Sequence, residues 1–127
     1  FVKLGLHQGF GISITLPRLI GNQNASRLLL SGRRINAQEA LSIGLVDEIV
    51  AEEKLRDAAM QLASELAENA PLAIQSVRAT MREGLADAVA SATVHELAEQ
   101  QWLRATEDAY EGIRAVSERR PGNFNGQ

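Results

Sequence analysis

Gly32-Arg33-Arg34-Ile35-Asn36-Ala37-Gln38-Glu39-Ala40-Leu41-Ser42-Ile43-Gly44-Leu45-Val46-Asp47 is the most legible stretch of the chain. Asn36 stands three residues before Glu39, the spacing of a capping box, in which the Asn side chain satisfies a free N–H of the first helical turn. Gly44 sits where a left-handed helix terminator belongs. The pattern predicts a two-turn helix over 37–43. Beyond it, Val46, Ile49 and Val50 favour extended backbone, so 45–50 is predicted to be a short buried strand.

Upstream, residues 2–6 are apolar and lead into His7-Gln8-Gly9-Phe10-Gly11, whose glycines permit a sharp turn. The reading is a strand end, a turn and then a helix. Ser13 or Thr15 can accept a hydrogen bond from free amides at that helix start, Pro17 is tolerable within a first turn, and Gly21 is the predicted stop. Asn24 is a candidate cap for a second short helix that carries Leu28, Leu29 and Leu30.

Downstream the period is helical. Leu55, Ala59, Leu62 and Leu66 recur at spacings of four, three and four, which line one helix face. Asn69-Ala70-Pro71 breaks that helix. Ile74, Val77, Met81 and Leu85 form the next stripe, and Ala90, Val94, Leu97, Ala98, Trp102 and Ala105 form a third on a longer helix. A last helix from about Asp108 carries Ala109, Ile113 and Val116, and Arg120-Pro121-Gly122-Asn123-Phe124 ends it. Two such short strands cannot make a free-standing sheet, so they are expected to need partners from elsewhere.

At 127 residues, 45% hydrophobic and 23% charged, the chain suits one soluble domain. Thirteen Lys+Arg against 16 Asp+Glu leave a net charge of −3, which supplies no positive field for a nucleic-acid backbone or an anionic membrane. The absence of cysteine removes disulfides, thiolate zinc sites and a thiol nucleophile. The longest apolar runs, such as Leu28-Leu29-Leu30, fall far short of the roughly 20 residues of a membrane-spanning helix. The expectation is a soluble protein with neither nucleic-acid nor membrane partners. With no initiator Met and an opening inside an apolar run, the sequence reads as a fragment.

The glycine turn is the most suggestive chemical element, because backbone N–H groups before a helix start can hold an anion or a polarised oxygen. A plain tight turn is the alternative. A dinucleotide fingerprint would need a third glycine, and no GK[ST] occurs, so the nucleotide motifs fail. His7 can act as acid, base or ligand, although a surface or hydrogen-bonding role is the simpler reading of a lone histidine. His95 and Glu99, one helical turn apart, have metal-ligand spacing, with a solvated pair as the alternative. Glu52-Glu53 and Glu107-Asp108 read as carboxylates at helix starts. Arg114, Arg119 and Arg120 gather at the last helix end, where they suit the helix dipole or a phosphate.

The stretch 32–47 resembles the crotonase family, the enoyl-CoA hydratases and isomerases. So does the opening, from Leu4-Gly5-Leu6 through Gly9-Phe10-Gly11 to Leu16-Pro17-Arg18-Leu19-Ile20-Gly21. Ala70-Pro71-Leu72-Ala73, Glu107-Asp108, Glu111-Gly112-Ile113-Arg114-Ala115 and Glu118-Arg119-Arg120-Pro121 with Phe124 are similar to the family's later signatures. The resemblance covers the family's C-terminal half. It implies an α/β crotonase-like spiral fold, of which this chain is the mostly helical part. Residues 1–50 would close the core and 51–127 would form a helical oligomerisation region.

The resemblance further implies an acyl-CoA substrate, with coenzyme A as part of that substrate and no separate cofactor or metal. A trimer or hexamer, a missing N-terminal half and a cytoplasmic location are implied as well. The oxyanion-hole donors and the first catalytic carboxylate would lie in that missing half. Gly9 matches the glycine whose N–H touches the reacting water, and the second catalytic glutamate aligns with Phe1, which cannot accept a proton. Leu6 and Phe10 are candidates for lining the acyl pocket, with core packing as the alternative. Arg119 matches a basic position that reaches a coenzyme A phosphate on a neighbouring subunit. The family's polar Gly-Thr-Gln-Arg run appears here as Ile12-Ser13-Ile14-Thr15. The contrasting reading is a helical oligomerisation or scaffold module that performs no reaction.

Overall fold

The computed structural model describes residues 1–127 as α1 (Ile12–Ser31), α2 (Ala37–Ser42), α3 (Leu55–Ala67), α4 (Pro71–Met81), α5 (Leu85–Leu103) and α6 (Glu107–Ser117). Short 3-10 turns occur at Val2–Leu4 and Glu52–Lys54. Local chemistry set most of these boundaries. Asn36 accepts the Glu39 N–H at 2.9 Å, and the Arg33 guanidinium donates to the Glu39 carboxylate, fixing the start of α2. Thr106 caps α6 by accepting the Ala109 N–H at 3.1 Å. Pro71 opens α4, where its missing N–H costs nothing. Gly21, at φ 75° and ψ 158°, breaks α1 at the predicted stop, and the Asn24 amide bridges that break by donating to the Ile20 carbonyl rather than acting as a cap.

Neither predicted strand forms. Residues 2–6 instead wind into a 3-10 turn, with the Leu4 N–H on the Phe1 carbonyl at 2.7 Å, and 45–50 is irregular. A strand needs a neighbour to take its N–H and C=O groups, and no segment of this chain supplies one.

The buried core is small. Nine of 127 residues are buried, and the chain exposes 9753 Å². A compact protein of 13.8 kDa exposes roughly 6,600 Å². Exposed apolar helix faces are part of that excess. On α5 the predicted stripe points outward: Val94 is 72% exposed and Trp102 57%, while Val89, Ala92, Glu96, Gln100 and Leu103 face inward. On α6 the inward face is the small set Ala109, Gly112 and Ala115, whereas Ile113 and Val116 are exposed. The stripes of α3 and α4 are also exposed at Leu55, Leu62, Leu66, Val77 and Met81. Periodicity says that a helix has an apolar face; it does not say what covers that face.

Two helix pairings hold the body together: α1 lies on α5, and α6 lies on the N-terminal 3-10 turn. The second contact is close because it is made of backbone. A Cβ built on Gly112 would stand 2.5 Å from the Leu4 carbonyl carbon. The C-terminal tail is tied down through carboxylates. Asp108 accepts the N–H groups of Asn125 and Gly126 at 2.9 and 3.0 Å, and Glu111 accepts that of Asn123 at 3.0 Å. The Arg120 and Arg114 guanidinium groups also donate to Glu111. Arg120 first, then the Asn123 N–H and Arg114, hold the Glu111 carboxyl well below the usual carboxylate range.

Gly112→Ala should lower stability by about 1–3 kcal/mol, because the helix must back away from the Leu4 backbone; a thermal midpoint equal to that of the parent would contradict the contact. A carboxyl depressed by folding stabilises above its unfolded value and loses that contribution only as pH falls through the folded value. Protection of the Asn123 amide from hydrogen exchange should therefore persist at roughly pH 4, where an ordinary Glu is half protonated, and disappear only at lower pH. In Glu111→Ala, which removes the acceptor oxygen altogether, it should already be lost at neutral pH.

Candidate functional site

The turn 7–11 lies between the 3-10 segment and α1, and α5 grips it from both sides. On one side, Gln100 donates its amide to the His7 carbonyl at 2.9 Å. On the other, one oxygen of Glu96 accepts the Gly11 N–H at 2.7 Å and the second accepts the Ser13 N–H at 3.0 Å. Glu96 is 1% exposed and is the one buried charged side chain. Burial pushes its carboxyl up, while hydrogen bonds from the Ser13 hydroxyl and N–H and from the Gly11 N–H, with the field of His7, pull it down. The pull wins, and the carboxylate sits below its ordinary value.

The start of α1 thus takes its cap from another helix. Gly11 occupies the cap position at φ 70° with no side-chain cap, and the first turn carries no acidic residue. The expected caps do other work: Ser13 Oγ accepts from the Gln8 amide at 3.0 Å, and Thr15 Oγ1 donates to the Gly11 carbonyl at 3.2 Å. Since Glu96 occupies the Gly11 and Ser13 amides, an anion arriving at this helix end would meet a carboxylate rather than free donors.

Gly9 is different. It is buried, yet its N–H donates to no group of the chain, an uncommon state for an enclosed amide. A Cβ built there would meet only the Gln100 side chain within 4 Å, at 3.0 Å for the amide nitrogen.

The other residues singled out by sequence are dispersed. Leu6 lines a cleft of about 600 Å³ with His7, Leu29, Leu30, Trp102 and Leu103. Phe10 is 89% exposed, with φ at +64°. Arg119 lies two residues past the end of α6, exposed, with φ at +55° and outside every ion pair. Phe10 and Arg119 are the two non-glycine residues in left-handed backbone, a strained state that tends to gather at functional positions. Phe1 is about half exposed, and its carbonyl accepts the Leu4 and Leu6 N–H groups.

His7 and His95 meet edge to face, with ring centroids 6.1 Å apart. Glu99 turns away from His95 to accept the Trp102 indole N–H at 2.8 Å. Glu107 and Asp108 stand in the first turn of α6, as expected of carboxylates at a helix start.

Glu96 and Gln100 escaped the sequence reading because polar residues on a helix read as solvent-facing. One signal called for an acceptor such as Glu96, without locating it: a glycine-capped helix with no acidic first turn leaves N–H groups that must find an acceptor elsewhere.

Gly11→Ala should cost about 1–3 kcal/mol, since its φ is left-handed and a Cβ would lie 2.7 Å from Val89 Cγ1. Gly9→Ala should cost less, about 1 kcal/mol, because only the end of the Gln100 side chain has to give, at the expense of its hydrogen bond to the His7 carbonyl. Thermal unfolding of the two variants side by side tests this order; equal losses would refute it.

The sequence profile of the family described as enoyl-CoA hydratase/isomerase matches residues 1–127. The 2,3-dehydroadipyl-CoA hydratase of Escherichia coli K12 is 35% identical over 126 residues, 99% of this chain and 49% of that protein. An enoyl-CoA hydratase/isomerase from Pseudoalteromonas atlantica superposes with a TM-score of 0.84 at 27% identity, over 98% of this chain and 50% of that one. A carnitinyl-CoA dehydratase from Mycobacterium avium gives 0.83 at 32%, over 99% and 50%. The chain spans about half the length of the curated relatives it matches. The fold class expected from sequence, a mostly helical part of a crotonase-like α/β spiral, is the one observed.

Proposed function

Because this chain belongs to the enoyl-CoA hydratase/isomerase family, we propose that it is the C-terminal half of an enzyme that acts on acyl-CoA thioesters through a stabilised enolate. Residues 1–50 complete the spiral core and 51–127 form the region that assembles trimers or hexamers. The observation that carries this reading is the enclosed and unpaired N–H of Gly9, at a turn whose flanks are both fixed. A donor of that kind suits an oxygen brought in by water or substrate. Leu6 lies in an apolar cleft large enough to take part of an acyl chain. Phe10 belongs to the substrate side by its exposure, and Arg119 is free to meet a coenzyme A phosphate from a neighbouring subunit.

The phenyl ring of Phe1 stands where hydratases carry their second glutamate, and it can neither hold nor release a proton. Proton transfer then rests with the other half, where the first carboxylate and the oxyanion donors lie, and a single base suits isomerisation or related enolate chemistry better than two-carboxylate hydration. Coenzyme A enters as part of the substrate, and no metal or further cofactor is required.

A non-catalytic reading also has an observation behind it: the outward apolar faces of α3, α4 and α5, together with Phe1, suit a module built for assembly. The two are separated by joining the chain to its upstream half. The complete protein is expected to bind acyl-CoA and to turn over short enoyl-CoA substrates, while the 127-residue chain alone is inactive. Stable trimers with no coenzyme A affinity would favour the scaffold, and hydration by the isolated chain would refute the division of labour.

A further inference from the structure

We propose that Glu96 is the positioning residue of the reaction centre, acting on the Gly9 N–H through the backbone on either side of Ile12. The proposal rests on the reading above, in which the Gly9 N–H meets a reacting oxygen. Glu96 lies more than 80 residues from its partners in sequence, with separations of 85 and 83 to Gly11 and Ser13, so α5 and α1 must dock before the bonds exist. Its two oxygens serve different N–H groups, which fixes rotation as well as distance. Val89, two turns earlier on the same helix face, closes against Gly11, and Gln100, one turn later, holds the His7 carbonyl. Three side chains of one helix face thus set both flanks of Gly9 and leave its own N–H unclaimed.

The chemistry selects glutamate. Glutamine offers one acceptor oxygen, so its NH₂ would face a second N–H donor and repel it. Aspartate is a methylene shorter and cannot reach both amides from the same helix. A carboxylate also complements the positive end of α1, which a neutral amide does less well. Holding a donor to within a fraction of an ångström is what turns an N–H into a catalytic group, and a displacement near 1 Å costs about 100-fold in rate.

The test uses the complete protein, with Glu96→Gln, Glu96→Asp and Glu96→Ala. In each, hydrogen exchange at Gly11 and Ser13 should accelerate at least about 10-fold, least in Glu96→Gln, which keeps one bond. The kcat on a short enoyl-CoA should fall about 10- to 100-fold, with KM within about 3-fold of the parent. A packing role alone would leave kcat untouched in whatever fraction folds. Unchanged exchange in Glu96→Ala overturns the clamp; faster exchange with full kcat overturns the positioning role. If the parent itself neither binds nor turns over acyl-CoA, the functional reading fails and the positioning role with it, while the exchange ordering still decides whether the clamp exists.

Discussion

The Glu96 carboxylate, buried and shared between the N–H groups of Gly11 and Ser13, is the contact on which the arrangement depends. Charge-assisted hydrogen bonds contribute roughly 1.5–3 kcal/mol each, and a carboxylate stripped of its partners in that position would be strongly unfavourable. The two bonds together tie the start of α1 to α5. It also explains why the face of α5 turned toward α1 is mixed in character rather than uniformly apolar. The residues there either bond to the turn and the start of α1 or let backbone approach closely.

The second contact, α6 on the N-terminal 3-10 turn, works by absence of bulk. Gly112 lets Leu4 come within reach of the helix axis, and Ala109 and Ala115 flank it with side chains too small to interfere. Gly5 does the same from the other side: a Cβ built on it would stand 2.7 Å from the Asp108 carbonyl carbon. Both contacts join the first thirteen residues to the last third of the chain. The larger apolar side chains are left on outer surfaces, which contributes to the excess exposed area and leaves a body that depends on a few polar and backbone contacts.

The helices were legible because their ends are written locally. Asn36 with Glu39, Pro71 and Gly21 each act within a few residues, so sequence spacing alone locates α2, the start of α4 and the break in α1, whereas the Thr106 cap of α6 emerged only in the structure. The expected strands 2–6 and 45–50 failed because extended backbone is stable only against a partner, which is a property of distant sequence. The helix face of α5 came out reversed, and of the expected α6 stripe only Ala109 is buried, for a related reason: Val94 and Ile113 advertise hydrophobicity, but what a helix buries depends on its neighbour's shape. At the site, the turn and Gly9 could be read from glycine spacing and family resemblance. Glu96 could not, since nothing within ten residues of it hints at a helix start 83 positions away.

Sequence by itself determined the helical segments, the left-handed glycines that separate them, the family and the identity of the candidate turn. Tertiary structure decided which faces are inside, that α1 borrows its cap from α5, and that the Gly9 N–H is enclosed without a partner. The physical reason is range. Capping and backbone preference act over one helical turn, whereas burial and long-range hydrogen bonding are set by which surfaces meet after the chain has folded.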